Sequence, residues 1–201
     1  MSHHKSTSEN IVVTHSLFSW SRAFTLIEIV ITIALSAILT LAITQLYVVY
    51  GRVILFQKSS IEVTLGGSSI MDAARTAGLQ AKQVVATHLF SSINYNSGAT
   101  TTIFELPAID ASGTIIPNEY DYIAIYASST SAYRLVEAAP GSSRISGEKQ
   151  LTNVLEALTF TYDNPIFPSV TSVTVDATTS AVIRGETAQM HLRGHIYLRN
   201  L

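Results

Sequence analysis

Residues 20–50 read WSRAFTLIEIVITIALSAILTLAITQLYVVY, and this stretch decides how the rest of the chain is organised. From Ile29 to Tyr50 it contains no charged residue. About 20 apolar residues are enough to cross a bilayer as a helix. Tyr47 and Tyr50 stand at the far end of the run, where aromatic side chains mark a membrane interface. The sequence therefore predicts one transmembrane helix.

Glu28 is the unusual residue of this stretch, because it stands directly before the uncharged run. A carboxylate placed near the centre of a bilayer costs about 2.5–3.5 kcal/mol, so such a residue indicates a function and needs a partner. The structural alternative is a glutamate whose side chain reaches the membrane interface. The surrounding residues decide between the two interpretations.

The junction resembles the class III prepilin signal of type IV pilins and type II secretion pseudopilins. In that family a basic leader ends at a small residue, the mature chain begins with Phe, and its fifth residue is Glu. Here Arg22-Ala23 precedes Phe24-Thr25-Leu26-Ile27-Glu28, and the apolar run follows at once. The family usually has Gly before the cut, whereas this chain has Ala23, which is also small.

The resemblance implies both processing and assembly. A prepilin peptidase/methyltransferase would cut between Ala23 and Phe24, remove the leader of residues 1–23 and methylate the new amino group of Phe24. The Glu28 carboxylate would then pair with the freed ammonium of Phe24, either on a neighbouring subunit or within its own helix. A buried charge pair between subunits would set the register of the filament.

Beyond Tyr50 the pattern predicts that the helix continues outside the membrane. Apolar residues at Ile54, Ile61 and Leu65 keep helical spacing. We therefore predict a transmembrane half over residues 24–50 and an extracytoplasmic amphipathic helix over residues 51–90. The Gly66-Gly67 pair predicts a kink or a break within that second half.

Residues 91–201 predict a β-rich head domain. Six runs, bounded by turn-forming residues, have the two-residue period of strands: Thr101–Leu106, Tyr120–Ala127, Ala132–Glu137, Leu155–Tyr162, Val170–Thr178 and Ala188–Leu198. The last two are close enough for a hairpin, and no helical pattern alternates with the strands, which favours an antiparallel sheet. The predicted fold class is α+β: a long N-terminal helix packed on a small antiparallel sheet. The resemblance to pilins implies the same fold.

The composition excludes several classes of function. The chain has no cysteine, which excludes disulfides, thiolate nucleophiles and zinc–cysteine sites. Its net charge of −2 gives no basic excess for phosphates, so nucleic acid is not predicted as the main partner. We find no catalytic triad, phosphate loop or paired-carboxylate signature. The sequence predicts no catalytic residue and no cofactor, and the protein is not predicted to be an enzyme.

Three other groups of residues are candidates for metal binding. His191 and His195 point to the same side of a predicted strand, with Glu186 as the nearby carboxylate in sequence. A half-exposed strand face is the preferred interpretation, and no metal site is predicted. The pair His3-His4 lies in the leader, and Asp163-Asn164 is more typical of a turn than of a ligand pair.

A Tyr-rich acidic region is a candidate for partner binding. Tyr120, Tyr122 and Tyr126 share one face of a predicted strand, within a stretch, residues 83–133, that contains no Lys or Arg. The acidic residues of that stretch include Glu105, Asp110, Glu119 and Asp121. Tyrosines are enriched in protein interfaces. Packing of the tyrosines on the helix is the structural alternative, and we prefer it.

These observations predict a structural subunit of a type IV pilus-like or type II secretion pseudopilus filament. It would be a single-pass protein of the inner (cytoplasmic) membrane with an extracytoplasmic head. The implied partners are the prepilin peptidase, other pilin or pseudopilin subunits, the inner-membrane assembly platform and membrane lipid. The alternative is a single-pass anchored binding domain that does not polymerise. That alternative needs no processing and tolerates Glu28→Gln.

Overall fold

The computed structural model describes residues 25–183 and 185–199. The chain divides into two units, Met1–Val48 and Val49–Leu201. In the first unit the described residues are helical after Thr25, and the second unit holds the rest of the same helix and all the described strands. The long N-terminal helix and the antiparallel sheets confirm the predicted α+β class.

The helix α1 runs from Leu26 to Gly78. In the first unit its threonines Thr32, Thr40 and Thr44 donate hydrogen bonds of 2.7–2.8 Å to the carbonyls four residues earlier. These bonds satisfy the hydroxyls within the helix, as a bilayer requires. Every side chain from residue 25 to residue 48 is exposed. Among the described residues α1 alone is long and apolar enough to cross a membrane.

Within the second unit, α1 packs through a face of small residues. The buried residues of the helix are Ser59, Val63, Gly66, Gly67, Ile70, Ala73, Ala74, Ala77 and Gly78. Small side chains let the helix backbone approach the strands closely. The residues that predicted the continuation of the helix, Ile54, Ile61 and Leu65, lie outside this face and are exposed.

Within the described part of the chain, ten strands follow the helix. They are β1 (Gln83–Val84), β2 (Thr87–Phe90), β3 (Ile93–Asn96), β4 (Thr101–Ile109), β5 (Ile115–Ser128), β6 (Ser131–Glu137), β7 (Gly147–Thr152), β8 (Leu155–Tyr162), β9 (Ser172–Ile183) and β10 (Glu186–Tyr197). A 3-10 helix spans Phe167–Ser169. The strands form a five-stranded sheet (β1-β4-β5-β6-β7), a three-stranded sheet (β10-β9-β8) and the two-stranded β2–β3 hairpin. All the pairings are antiparallel.

The main core lies between the small-residue face of α1 and the two larger sheets. Ile70 of α1, Ile125 of β5 and Val175 of β9 belong to one cluster and are fully buried. A buried hydrogen bond of 2.8 Å from the Thr179 hydroxyl to the Val63 carbonyl also joins β9 to the helix. Helix and sheets of the second unit therefore share one core.

The predicted end of the helix is wrong. We predicted helix to residue 90, but α1 ends at Gly78 and residues 83–90 contain β1 and β2. The amide of Lys82 donates to the carbonyl of Glu105 at 2.8 Å, which brings this segment alongside β4. Val84 and Phe90 are then buried as strand residues. Tertiary pairing overrides the helical spacing of this segment.

The six predicted strands are present, as β4, β5, β6, β8, β9 and β10, and most are longer than predicted. Residues 91–100, in which the sequence predicted no strand, contain β3. The predicted hairpin between the last two strands is tighter than expected. Ile183 pairs with Glu186, so only two residues connect β9 to β10.

The predicted break at Gly66-Gly67 does not occur, because α1 continues through both glycines. A Cβ atom at Gly66 would lie 3.0 Å from Cβ of Thr152, and one at Gly67 would lie 3.0 Å from Cδ1 of Leu192. The two glycines therefore allow close approach of the helix to both larger sheets.

Replacing Gly66 with Ala should destabilise the second unit. Overpacking of a tight core costs about 1–3 kcal/mol, whereas Ala gains about 1 kcal/mol over Gly in helix propensity. We expect a net loss of up to about 2 kcal/mol, measured by thermal unfolding of the full chain in detergent micelles. The matched control is Gly51→Ala, since a Cβ there meets no atom within 4 Å. Equal unfolding temperatures for the two variants would contradict the close-approach role.

Candidate assembly and processing site

The first turn of α1 contains a reciprocal set of hydrogen bonds between Thr25 and Glu28. The Thr25 amide donates to Oε2 of Glu28 at 2.9 Å, and the Thr25 hydroxyl donates to the same oxygen at 3.1 Å. The Glu28 amide in turn donates to Oγ1 of Thr25 at 3.3 Å. This is a capping box, in which two otherwise unpaired amides at the helix start are both satisfied.

The capping box gives the Glu28 carboxylate a partner in its own chain. A negative charge in the first turn also interacts favourably with the positive end of the helix dipole. Both hydrogen bonds go to Oε2, and Oε1 accepts none from the described residues. One oxygen of the carboxylate is therefore occupied and the other is left for a further donor.

The predicted cleavage site, Ala23 and Phe24, lies outside the described residues, so cleavage and methylation of Phe24 stay predictions. Glu28 itself lies where the sequence placed it, at the start of the apolar helix. We expected a counter-charge from Phe24 as its partner and missed the nearer partner, Thr25. The signal was present in the sequence, since Thr-x-x-Glu before an apolar run is typical of a capped helix start.

His191 and His195 lie on the outer face of the three-stranded sheet, but they do not converge on a common site. Nε2 of His191 contacts Oδ1 of Asp176 on β9, and Nε of Arg193 lies 3.9 Å from the other carboxylate oxygen. His195 lies 3.1 Å from the Thr174 hydroxyl. Within residues 25–183 and 185–199 no cluster of three potential ligands is suited to a metal ion. The sequence reasoning missed Asp176 because strand register, not sequence distance, brings it to His191.

The preferred interpretation of the tyrosines is wrong, because they do not pack on the helix. Alternate residues of β5 point to opposite faces. Ile123 and Ile125 belong to the core beneath α1, whereas Tyr122 and Tyr126 pack against the cluster around Phe90 of β2. The β2–β3 hairpin, which the sequence did not predict, covers this second face.

The tyrosine face is stabilised by aromatic contacts. The ring of His88 stacks on Tyr122 with 3.6 Å between centroids, and its Nε2 lies 2.7 Å from a Glu137 oxygen. Burial, followed by the hydrogen bond to Glu148, raises the pKa of the Tyr126 hydroxyl. Tyr126 is therefore a neutral donor at physiological pH, and these tyrosines have structural partners.

The acidic candidates also have local partners. Asp121 is fully buried, where its carboxylate accepts from the Ala139 amide at 2.7 Å and pairs with the Arg144 guanidinium. Glu105 lies 3.5 Å from Nζ of Lys82. In the turn before β5, Asp110 accepts a hydrogen bond from the Ser112 hydroxyl and others from nearby amides, and these bonds lower the pKa of its carboxyl group. These contacts assign structural roles to the three carboxylates.

Comparison with known proteins bears on the helix start. Residues 21–44 match the family described as "Prokaryotic N-terminal methylation motif". The matched segment includes the capping box and most of the described part of the first unit. No curated protein and no solved structure matches the chain significantly. The match therefore concerns the N-terminal segment, and the head domain is interpreted from its own geometry.

Proposed function

We propose that this chain, which carries a class III prepilin signal and is type IV pilin-like, is a structural subunit of a type IV pilus-like or type II secretion pseudopilus filament. The observation that carries the proposal is that the described part of the signal forms the first turn of an apolar helix, and that no other described residue covers this part of the helix. Leu35 and Leu41, for example, are 61% and 66% exposed. Such a surface needs lipid before assembly and neighbouring helices after it.

The second unit adds support to this proposal. Ile54, Ile61 and Leu65 are 45%, 59% and 62% exposed, on helix residues that the head domain leaves uncovered. They are separated by seven and four residues, which is the spacing of side chains that pack between helices. The apolar surface of α1 thus extends beyond Tyr50, as packing of helices in a filament would require.

In the proposed sequence of events the prepilin peptidase removes residues 1–23 and methylates Phe24 at the inner membrane, with the head outside the cytoplasm. The assembly platform then adds the subunit to other pilin or pseudopilin subunits. The free Oε1 of Glu28 accepts from the Phe24 ammonium of a neighbouring subunit while Oε2 keeps its bonds to Thr25. The role is structural rather than catalytic.

Mass spectrometry of the N-terminal peptide, from protein purified from membranes of the native host, tests the processing step. We expect a chain that begins at Phe24 with a methylated amine. The variant Ala23→Gly should be processed at least as completely, because the family usually has Gly at that position. An intact leader on this chain, while another pilin of the same cells is processed, would contradict the proposal.

One observation favours the second candidate, a membrane-anchored binding domain that does not polymerise. The capping box satisfies Glu28 within its own helix, so the carboxylate does not require a second subunit. This candidate and the filament subunit differ in their response to Glu28→Gln, which only the anchored domain tolerates.

A further inference from the structure

The end of the β9–β10 hairpin lies beside the part of α1 that follows the apolar run. Ile183 of β9 and Glu186 of β10 line a groove of about 480 Å³ together with residues of the helix. The helical lining residues are Arg52, Val53, Leu55 and Phe56. Four of these six described lining residues are apolar, and Arg52 and Glu186 are charged. The end of the hairpin therefore lies beside the first helical residues of the second unit, which begins at Val49.

The position of this groove along the helix is close to the predicted membrane surface. The uncharged run ends at Tyr50, and a helix rises about 1.5 Å per residue, so Arg52 and Phe56 lie roughly 3 Å and 9 Å beyond it. The polar headgroup region of a bilayer is about 5–8 Å thick on each side of the hydrocarbon core. The hairpin end is therefore at headgroup depth when α1 spans the membrane.

The chemistry of the hairpin end fits that environment. Val182, next to the groove residue Ile183, is 67% exposed, and Phe56, which lines the groove, is 45% exposed. Val182 pairs with Thr187 in the hairpin register. An exposed apolar side chain beside an apolar groove is costly in water and is accommodated in the interfacial region of a bilayer.

We propose that the end of the β9–β10 hairpin, with Val182 and Ile183, inserts into the headgroup region of the membrane that holds α1. This is a second membrane contact, separate from the spanning helix. It holds the head domain close to the membrane before assembly. The proposal rests on membrane anchoring of α1 and not on filament formation.

Spin labelling tests the insertion, since the chain has no cysteine and any single cysteine is unique. The full chain is reconstituted in vesicles of phosphatidylethanolamine and phosphatidylglycerol with a nitroxide at Val182→Cys. Power saturation then compares its accessibility to oxygen, which partitions into lipid, with that to a water-soluble nickel chelate. The label at Leu41→Cys, within the apolar run, confirms that the helix spans the bilayer.

The matched control is Tyr197→Cys on the same hairpin. Tyr197 is 69% exposed, close to the value for Val182, but it lies at the opposite end of β10. The ten residue-to-residue steps from Thr187 to Tyr197 correspond to about 34 Å of strand. We expect a several-fold higher oxygen-to-nickel ratio at Val182 than at Tyr197.

A second label at Thr187→Cys tests whether the result at position 182 is caused by the Val182→Cys substitution itself. Thr187 pairs with Val182 across the hairpin and is also exposed. An oxygen-to-nickel ratio well above that of Tyr197 at both 182 and 187 supports insertion. The insertion is overturned if both labels give the same oxygen-to-nickel ratio as the label at Tyr197 while the label at Leu41 gives the high ratio of the bilayer interior. Membrane anchoring through α1 would still be supported by that result. The vesicles contain no other protein, so protection at these positions reports lipid.

Discussion

Replacing Glu28 with Gln should abolish filament assembly and leave both membrane insertion and processing intact. Gln keeps the side-chain oxygen that the capping box uses, and Gln is accepted at this position of the motif. It removes the negative charge that would pair with the Phe24 ammonium of a neighbour. Breaking a buried charge pair costs about 3–5 kcal/mol, which corresponds to more than about a 100-fold loss in the affinity of subunit addition. The measurement is the amount of this chain in a sheared filament fraction, relative to membranes.

Thr25→Ala is the matched control, because it weakens the cap and keeps the charge. The change removes the hydroxyl that accepts from the Glu28 amide at 3.3 Å. Loss of such a cap costs about 1 kcal/mol, so this variant should assemble, with a modest reduction. Normal assembly of Glu28→Gln would favour the anchored binding domain. A greater defect in Thr25→Ala than in Glu28→Gln would show that capping, rather than charge, is what assembly needs.

Replacing Asp121 with Asn should destabilise the head domain by about 3 kcal/mol. The Asp121 side chain is fully buried and that of Arg144 is 17% exposed, so the pair is largely shielded from water. Asn keeps an oxygen for the Ala139 amide but leaves the Arg144 guanidinium without its counter-charge. Arg144 also donates to the Pro107 carbonyl and to Gln80, each at 2.8 Å. The variant should therefore loosen the segment between β6 and β7 and its attachment to β4.

Asp176→Asn provides the control for that experiment. Asp176 also has two partners, His191 and Arg193, but its side chain is 34% exposed. Pairs of this kind contribute less than about 1 kcal/mol. Thermal unfolding of both full-length variants in detergent, followed by circular dichroism, should show a large shift for Asp121→Asn alone. Similar shifts would mean that burial does not distinguish the two pairs.

Patterns within short segments were enough to predict the membrane helix, the position of Glu28 and the six strands with regular alternation. In each case neighbouring residues determine the outcome, through an uncharged run, the acidic residue that precedes it or a two-residue period. The antiparallel arrangement follows from the absence of intervening helical patterns. The fold class and the helix start that contains Glu28 can therefore be predicted largely from local sequence.

Features that depend on distant contacts were not predicted. The helix ends at Gly78 because the segment after it pairs with β4, and the local sequence of that segment does not indicate this pairing. The composition of the Gly66-Gly67 pair indicates a break in the helix. The close approach of Thr152 and Leu192 to these glycines shows that the pair instead allows close packing. The partner of Asp121 lies 23 residues away. Such contacts need the register of the sheets.

The capping box has a consequence for the timing of assembly. Its bonds join only Thr25 and Glu28, both of which remain after a cut before Phe24, and they are formed in the uncleaved chain. Cleavage would then add a positive charge beside a turn that is already ordered. Because the turn is preorganised, little conformational entropy is lost there when the subunit joins its neighbours. Removal of the leader would act as an electrostatic trigger rather than as a refolding step.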